Sequence, residues 1–192
     1  MPNRAKSRRK QLALFALNFF KHPKMLGSII PSSRFLIERV LGQVDWKRAR
    51  VIVEYGPGVG TFTSEILRRM RPDAILVVLE TNPEFVDFLR ESLPDPRLRV
   101  IHGSAAEVTE VLARDGEKHA DYVISGIPFT TLPNDVRQEV LAQTHNVLKP
   151  DGVFLVYQFS PKVLGYLKPF FRVTRGFEPW NILPAQLFYC RP

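Results

Sequence analysis

Seven consecutive residues carry the clearest chemical signal in the chain: Glu54-Tyr55-Gly56-Pro57-Gly58-Val59-Gly60. They follow an apolar run at 51–53 and precede a stretch from Thr61 that has the pattern of a helix. A strand, a glycine-rich turn and a helix form a nucleotide-binding corner, because glycines let the backbone approach a ligand without a Cβ in the way. A second acid, Glu80, ends the next apolar run and can accept both ribose hydroxyls of a bound nucleoside.

The glycine spacing separates two kinds of nucleotide site. Dinucleotide enzymes use G-x-G-x-x-G, which brings a helix N-terminus to a pyrophosphate. Here the glycines stand at 56, 58 and 60, with Glu54 just before them. An acid at this position suits a cation and repels a pyrophosphate. The motif therefore predicts S-adenosylmethionine, which carries an ammonium and a sulfonium but no phosphate; the alternative is a glycine-rich turn without a ligand.

Composition restricts the remaining possibilities. A chain of 192 residues that is 45% apolar is long enough for one good core. The single cysteine, Cys190, excludes a disulfide within the chain and fits a reducing compartment. The four histidines are scattered without metal-ligand spacing, so no metal is expected.

The net charge of +8 is unevenly distributed. Residues 1–37 hold eight lysines and arginines and no acid, whereas the remainder of the chain is balanced. This asymmetry predicts a polyanionic partner, either nucleic acid or an anionic membrane surface. We therefore divide the chain into a basic amphipathic N-terminal arm, 1–48, and a cofactor-binding core, 49–192.

The arm contains an apolar stretch at 12–20 that is too short to span a bilayer, which needs about 20 residues. Three interpretations are open: a helix in the headgroup layer, a helix packed on the core, and an RNA contact. The first is favoured, because an RNA-binding arm more often interleaves polar and basic residues. It predicts a cytoplasmic protein that is peripheral on the inner face of the membrane. Its membrane-binding residues are Arg8, Arg9, Lys10, Phe15 and Phe19.

Strands and helices alternate through the core. Strands are predicted at 50–55, 75–80, 98–102, 122–125, 153–159, 170–174 and 186–189. Helices are predicted from 32 or 33 to 41, from 61, and at 82–92, 105–114 and 133–148, with a turn at 149–152. This alternation predicts an α/β, Rossmann-like fold with a seven-stranded, mostly parallel sheet and helices on both faces.

These features resemble the class I S-adenosylmethionine-dependent methyltransferases. More narrowly, the chain resembles bacterial phospholipid N-methyltransferases, which methylate phosphatidylethanolamine and bind the membrane through a basic N-terminal helix. The matching segments extend over most of the chain: 27–33 (GSIIPSS), 54–60 (EYGPGVG), Glu80, 125–128 (SGIP) and 181–187 (NILPAQL). The glycine motif is common to class I methyltransferases, whereas the SGIP and PAQL segments are more specific.

The resemblance implies roles for particular residues. Ser125 would be both catalytic and cofactor-binding, because residues 125–129 would face the transferred methyl group, with Phe129 contacting the substrate. Ser104 and Ala105 would line the adenine pocket, although an aspartate is usual where Ser104 stands. The other cofactor-binding residues would be Glu54, near the methionine ammonium, Gly56, Gly58, Gly60, and Glu80 at the ribose.

The rRNA adenine N6-dimethyltransferases are the alternative family. Adenine-amino methyltransferases use Asn or Asp, then proline, then an aromatic residue in the loop that Ser125 begins, so that the acid or amide accepts from the amine and the ring stacks on a flipped base. Ser125-Gly126 weakens this acceptor, so nucleic acid is the less favoured partner. A fold that only binds partners is disfavoured by Glu54 and Glu80, and no obligate protein partner is inferred.

Transfer to nitrogen requires a neutral amine, because an ammonium has no lone pair. An aliphatic amine has a pKa of about 10.4, so the site must lower that pKa or accept a proton. We hypothesise that Tyr157 and Gln158, at the carboxyl end of the fifth strand, orient the headgroup. The alternative for Tyr157 is a half-buried strand aromatic without a catalytic role.

Overall fold

The computed structural model describes residues 32–181 and 183–192. Most of the predicted arm therefore lies outside the described residues, including Arg8, Arg9, Lys10, Phe15 and Phe19. The division of the chain at 48/49 stays a prediction.

Helices and strands alternate through the described residues. The helices are α1 (Arg34–Leu41), α2 (Thr61–Arg69), α3 (Pro83–Ser92), α4 (Val108–Arg114), α5 (Asn134–Val147) and α6 (Val163–Leu167). A 3₁₀ turn, Ala105–Glu107, precedes α4. The strands are β1 (Val51–Tyr55), β2 (Ile75–Glu80), β3 (Leu98–His102), β4 (Ala120–Ser125), β5 (Leu148–Gln158), β6 (Arg172–Glu178) and β7 (Ala185–Arg191).

Within this part of the chain, seven strands form one sheet in the order β3-β2-β1-β4-β5-β7-β6. The first five strands pair in parallel, and β7 runs antiparallel to both β5 and β6. The prediction of a seven-stranded, mostly parallel sheet is confirmed. The carboxyl ends of β1, β2 and β4 consequently lie at one edge of the sheet, where α/β folds bind their ligands.

The sheet is buried on both faces. Side chains of α1, α2 and α3 pack with Ile52, Leu76 and Ile124 on one face. Side chains of α4, α5 and α6 pack with Val53, Val77 and Val123 on the other. Adjacent residues of β1 thus point to opposite cores, which is why the strand is buried throughout and its first three residues are all apolar rather than alternating.

The predicted starts of two helices are confirmed by their caps. The Ser33 hydroxyl accepts from the Leu36 N–H at 3.2 Å at the start of α1. Asn82 caps α3 by accepting from the Glu84 N–H at 2.9 Å, and Pro83 occupies the first turn. These side chains accept hydrogen bonds from N–H groups that have no partner within the helix.

The structure corrects the prediction at 149–152. A turn was expected there, but β5 begins at Leu148 and continues through these residues. Between the pairs Ala120–Leu148 and Tyr122–Val153, β4 advances by two residues while β5 advances by five, so the extra residues form a bulge within the strand. The short helix α6 was not predicted, and β6 begins and ends later than expected.

No helix in the described ranges is long and apolar enough to cross a membrane. In the same ranges, no group of three or more His, Cys, Asp or Glu side chains is arranged to hold a metal ion.

Candidate active site

The glycine-rich loop joins β1 to α2 and depends on glycine at several positions. Gly56, Gly58 and Gly60 have φ values of 64°, 54° and 74°, in the left-handed region that other residues rarely adopt. A Cβ on Gly60 would lie 2.6 Å from Leu89 Cδ2, and one on Gly56 would lie 2.7 Å from Ile127 Cγ2. The loop can therefore approach both α3 and the 125–129 loop only without side chains at these positions.

Glu80 lies at the carboxyl end of β2, beside the glycine loop. Its Oε2 accepts from the Gly58 N–H at 3.1 Å, and its Oε1 accepts from the Asn82 N–H at 2.9 Å. Burial raises the pKa of this carboxyl, while the backbone donors and His102 oppose that shift. The carboxylate is thus held in a fixed orientation and retains lone pairs that can accept from ribose hydroxyls.

The Glu54 side chain is more deeply buried than that of Glu80. Only 3% of it is exposed, and the Thr63 hydroxyl on α2 donates to its Oε2 at 2.7 Å. Burial, supplemented by the charge of Glu80, raises the pKa of Glu54 to about 8, although the Thr63 bond acts in the opposite direction. A cation placed beside Glu54 would favour its ionised form, as the ammonium of a bound methionine group would.

A cavity of about 270 Å³ opens at this edge of the sheet. Five of the predicted cofactor residues line it: Gly56, Gly58, Glu80, Ser104 and Ala105. Apolar side chains, among them Leu79, Phe85, Ile127 and Leu132, form the remainder of its wall. One acid on an otherwise mostly apolar wall fits an adenosine group, whose ribose is polar and whose base is flat and apolar on both faces.

Glu54, Gly60 and Ser125 do not line this cavity. Gly60 instead occupies the N-cap position, directly before the first residue of α2. The Ser104 hydroxyl accepts from the Ala106 N–H at 3.2 Å and thereby caps the 3₁₀ turn. Its interaction with adenine stays a prediction.

The loop after β4 is held by buried side chains. Ser125 is fully buried, and its hydroxyl accepts from the Ile127 N–H at 3.3 Å. The Gln158 amide donates to the Ile127 carbonyl at 2.7 Å and to the Tyr157 carbonyl at 2.8 Å. The structure therefore gives Gln158 a positioning contact with the loop.

Phe129 requires a correction. It was expected to face the substrate, but it is fully buried and packs edge-on against Phe154, with ring centroids 6.2 Å apart. It belongs to the core cluster beneath α4, α5 and α6. Because this core encloses the ring, neither face is open for stacking on a substrate.

Tyr157 lies directly over the 125–129 loop. A Cβ on Gly126 would overlap its hydroxyl, and its ring stacks on Phe62 with centroids 4.7 Å apart. The hydroxyl hydrogen-bonds to the Ser32 side chain, and burial and the nearby Glu54 raise its pKa. Tyr157 therefore stays protonated at neutral pH and connects the start of the described chain to the site.

Comparison with known proteins shows to which family this chain belongs. Residues 52–152 match the model of the methyltransferase domain. The chain is 35% identical over 185 residues to the ornithine lipid N-methyltransferase of Singulisphaera acidiphila, and the match covers 95% of this chain and 96% of that protein. This chain belongs to the class I S-adenosylmethionine-dependent methyltransferases. The predictions of a methyltransferase and of S-adenosylmethionine as its cofactor are confirmed.

Two other similarities are more limited. The ribosomal RNA small subunit methyltransferase A of Dehalococcoides mccartyi is 26% identical over 141 residues, which cover 72% of this chain but only 45% of that protein. The 1,6-didemethyltoxoflavin-N1-methyltransferase of Burkholderia thailandensis, solved with bound S-adenosylhomocysteine, has a TM-score of 0.62 at 16% identity. That match covers 97% of this chain and 88% of the other, and it supports the fold alone.

The structure reveals two further residues of the methyltransferase site that the sequence analysis missed. Thr63 orients Glu54, as described above. Arg137 is buried on α5 and donates to the carbonyls of Phe129 at 3.3 Å and Leu132 at 3.1 Å. Its guanidinium also lies 4.0 Å from the ring centroid of Tyr166. A threonine three residues after the last loop glycine could have indicated the first contact, but no local pattern indicated the second.

The methyltransferase chemistry requires mainly alignment and exclusion of water, because the bound sulfonium supplies an already activated methyl group. The chain's own residues divide this task. Glu80 and the cavity wall suit the adenosine, Glu54 offers a buried carboxyl, and Gln158 and Arg137 hold the 125–129 loop beside the cavity.

Proposed function

We propose that this methyltransferase transfers methyl groups from S-adenosylmethionine to the amine of an amino lipid at the inner face of an anionic membrane. One structural observation carries the choice of acceptor: the side chains of Ser125 and Phe129 are fully buried and therefore closed to a flipped adenine. The Ser125 hydroxyl accepts from the Ile127 N–H, and the Phe129 ring is buried in the core. Adenine-amino methyltransferases need an acceptor for the amine and an open ring for the base.

Similarity supports the same choice. The Singulisphaera relative acts on ornithine lipid by its name, and its match with this chain covers nearly the full length of both. The Dehalococcoides rRNA enzyme matches over less than half of its own length. A lipid amine is consequently favoured over an RNA base.

The acceptor lipid is phosphatidylethanolamine in our proposal, with its methylated forms as further acceptors. An ornithine lipid also presents an aliphatic amine, so the chemistry at nitrogen is the same for both. In each case the site must receive the neutral amine. Tyr157 and Gln158, at the carboxyl end of β5, would orient this group, with the Tyr157 hydroxyl as the candidate for direct contact, whereas the buried Ser125 would act through the 125–129 loop that its hydroxyl holds.

The N-terminal arm supplies membrane attachment in this proposal. Arg8, Arg9 and Lys10 would bind lipid phosphates, and Phe15 and Phe19 would enter the apolar layer. The test is vesicle cosedimentation of the full chain with these three basic residues replaced by serine. We expect weaker binding to anionic vesicles, and unchanged binding would contradict the membrane role of the arm.

The catalytic proposal is tested with methyl-labelled S-adenosylmethionine. Separate reactions contain anionic vesicles with phosphatidylethanolamine, anionic vesicles with ornithine lipid, or unmethylated small-subunit rRNA. We expect label in mono-, di- or trimethylated lipid and none in RNA, and Glu80→Gln serves as the cofactor-site control. Label in RNA alone, with cofactor binding intact, would contradict the lipid assignment.

A further inference from the structure

The large apolar side chains that the described structure leaves exposed are concentrated in one region. They are Phe35, Phe177, Trp180 and Leu183, exposed by 61%, 45%, 72% and 45% respectively. We call these four residues the hairpin rim, because three of them belong to the β6–β7 hairpin. Scattered apolar residues are normal on a protein surface, but a grouped set marks a contact surface.

Topology places the hairpin rim at the active-site edge of the sheet. Gln158, the last residue of β5, pairs with Gln186 near the start of β7. The connection that carries Trp180 and Leu183 precedes β7, so it lies at the carboxyl edge, beside the site loops. Phe177 is the penultimate residue of the edge strand β6, at the same end.

Hydrogen bonds attach the start of α1 to this hairpin. The Ser33 hydroxyl donates to the Trp180 carbonyl at 2.7 Å, and the Ser33 N–H donates to Asn181 Oδ1 at 2.8 Å. Phe35 follows two residues later, which brings it to the rim. The adjacent residue, Ser32, hydrogen-bonds to Tyr157 over the 125–129 loop, so the rim and the acceptor side of the site share one connected structure.

The charges around the hairpin rim favour an anionic partner. Arg34, Arg39 and Arg175 are exposed beside the rim residues. Glu178 is buried, lies 4.0 Å from Arg39, and accepts from the Trp180 N–H at 2.8 Å. Glu178 is thus turned inward and the exposed Glu38 of α1 is paired with Arg69, whereas the three arginines face solvent.

We propose that the hairpin rim inserts into the headgroup boundary of an anionic lipid bilayer and orients the acceptor side of the site toward it. This inference rests on the proposed function, and it adds a membrane contact within the folded core that is separate from the N-terminal arm. Tryptophan, phenylalanine and leucine beside arginine suit this boundary, because the rings enter the apolar layer while the cations stay at the phosphates.

The test uses tryptophan fluorescence of the full chain, which contains only Trp46 and Trp180. Vesicles of phosphatidylethanolamine and phosphatidylglycerol carry bromine on their acyl chains, so they quench only tryptophans that enter the bilayer. Trp46 packs against the core cluster of α1, α2 and α3 and serves as the internal reference. We expect quenching in the natural chain, and its loss in Trp180→Phe while vesicle binding changes by less than about twofold.

A second variant tests the contribution to affinity. Trp180→Ser combined with Leu183→Ser should weaken partition onto these vesicles by about tenfold or more. Because neither residue lines the cavity, methylation of lipid dispersed in detergent should be retained, which also verifies folding.

Three outcomes would overturn the hairpin rim as a bilayer contact. The first is equal quenching of the natural chain and Trp180→Phe. The second is unchanged partition of the double variant. The third is protection of Trp180 from an aqueous quencher without vesicles, which would indicate that residues 1–31 or a second copy cover the rim. If the natural chain does not methylate lipid dispersed in detergent while vesicles quench its Trp180, the proposed function fails and the membrane contact stands.

Discussion

Glu54 should make the binding of S-adenosylmethionine depend on pH. Its pKa of about 8 in the cofactor-free structure means that the carboxyl is about nine-tenths protonated at pH 7. In our proposal the cofactor ammonium binds the ionised form, so Glu54 should release about 0.9 proton when the cofactor binds at pH 7. Between pH 7 and pH 6 the ionised fraction falls about ninefold, and the affinity should fall by the same factor.

The matched variant is Glu54→Gln, which keeps an oxygen that can accept from Thr63 but cannot ionise. Thr63 and Glu80 are the polar groups that influence the pKa of Glu54, and both remain in this variant, as does Tyr157, whose own pKa Glu54 raises. The α-amino group of the ligand titrates near 7.7–8.0, and this contribution also remains, so the difference between the two proteins isolates Glu54.

The assay is titration calorimetry at pH 6 and pH 7 in two buffers with different ionisation enthalpies. The natural chain should show proton release and a ninefold change in affinity, whereas Glu54→Gln should bind more weakly and show neither effect. Equal affinity of the natural chain at both pH values would refute the buried, protonated state of Glu54. An identical pH dependence in the variant would assign the titration to another group.

Three further predictions concern stability and turnover. The raised pKa of Glu54 stabilises the cofactor-free protein below about pH 4.5, and this stabilisation should be lost as the pH rises to about 8. The melting temperature should therefore depend less on pH in Glu54→Gln than in the natural chain. Gly60→Ala should lower the free energy of unfolding by roughly 2–4 kcal/mol, through backbone strain and overlap with Leu89. Gly116→Ala is its control in denaturant titration, because Gly116 has a similar φ but no atom within 4 Å of an added Cβ, and it should cost only about 1 kcal/mol. Tyr157→Phe should lower kcat with little change in cofactor affinity, and unchanged turnover would remove the hydroxyl from the mechanism.

Local sequence was sufficient to predict most of the fold. The strands β2 and β3 begin and end where they were predicted: the apolar run of β2 ends at Glu80, and β3, which includes Arg99, lies between Pro96 and Gly103. The caps Ser33 and Asn82 were also predictable, because each accepting side chain lies within three residues of the N–H group that donates to it. The bulge at 149–152 was not, since its proline and glycine indicate a turn and the neighbouring strand decides that they stay in the sheet.

The residues around the glycine loop were more predictable than the contacts of the 125–129 loop. Gly56, Gly58 and Glu80 follow from a short motif and the end of one strand, so spacing alone placed them together. The 125–129 loop depends on contacts between distant segments: Tyr157 packs over Gly126, and Arg137 donates to the carbonyl of Phe129. No local pattern distinguishes a buried loop phenylalanine from an exposed one, which explains the incorrect placement of Phe129.

A direct competition for one labelled cofactor tests the lipid assignment most directly. A single reaction contains the enzyme, anionic vesicles with phosphatidylethanolamine, and unmethylated small-subunit rRNA at comparable concentrations of acceptor. The lipid assignment predicts that the transferred methyl label is recovered in the lipid fraction and that adding RNA does not reduce it. Recovery of the label in adenine, with the lipid unlabelled, would contradict it.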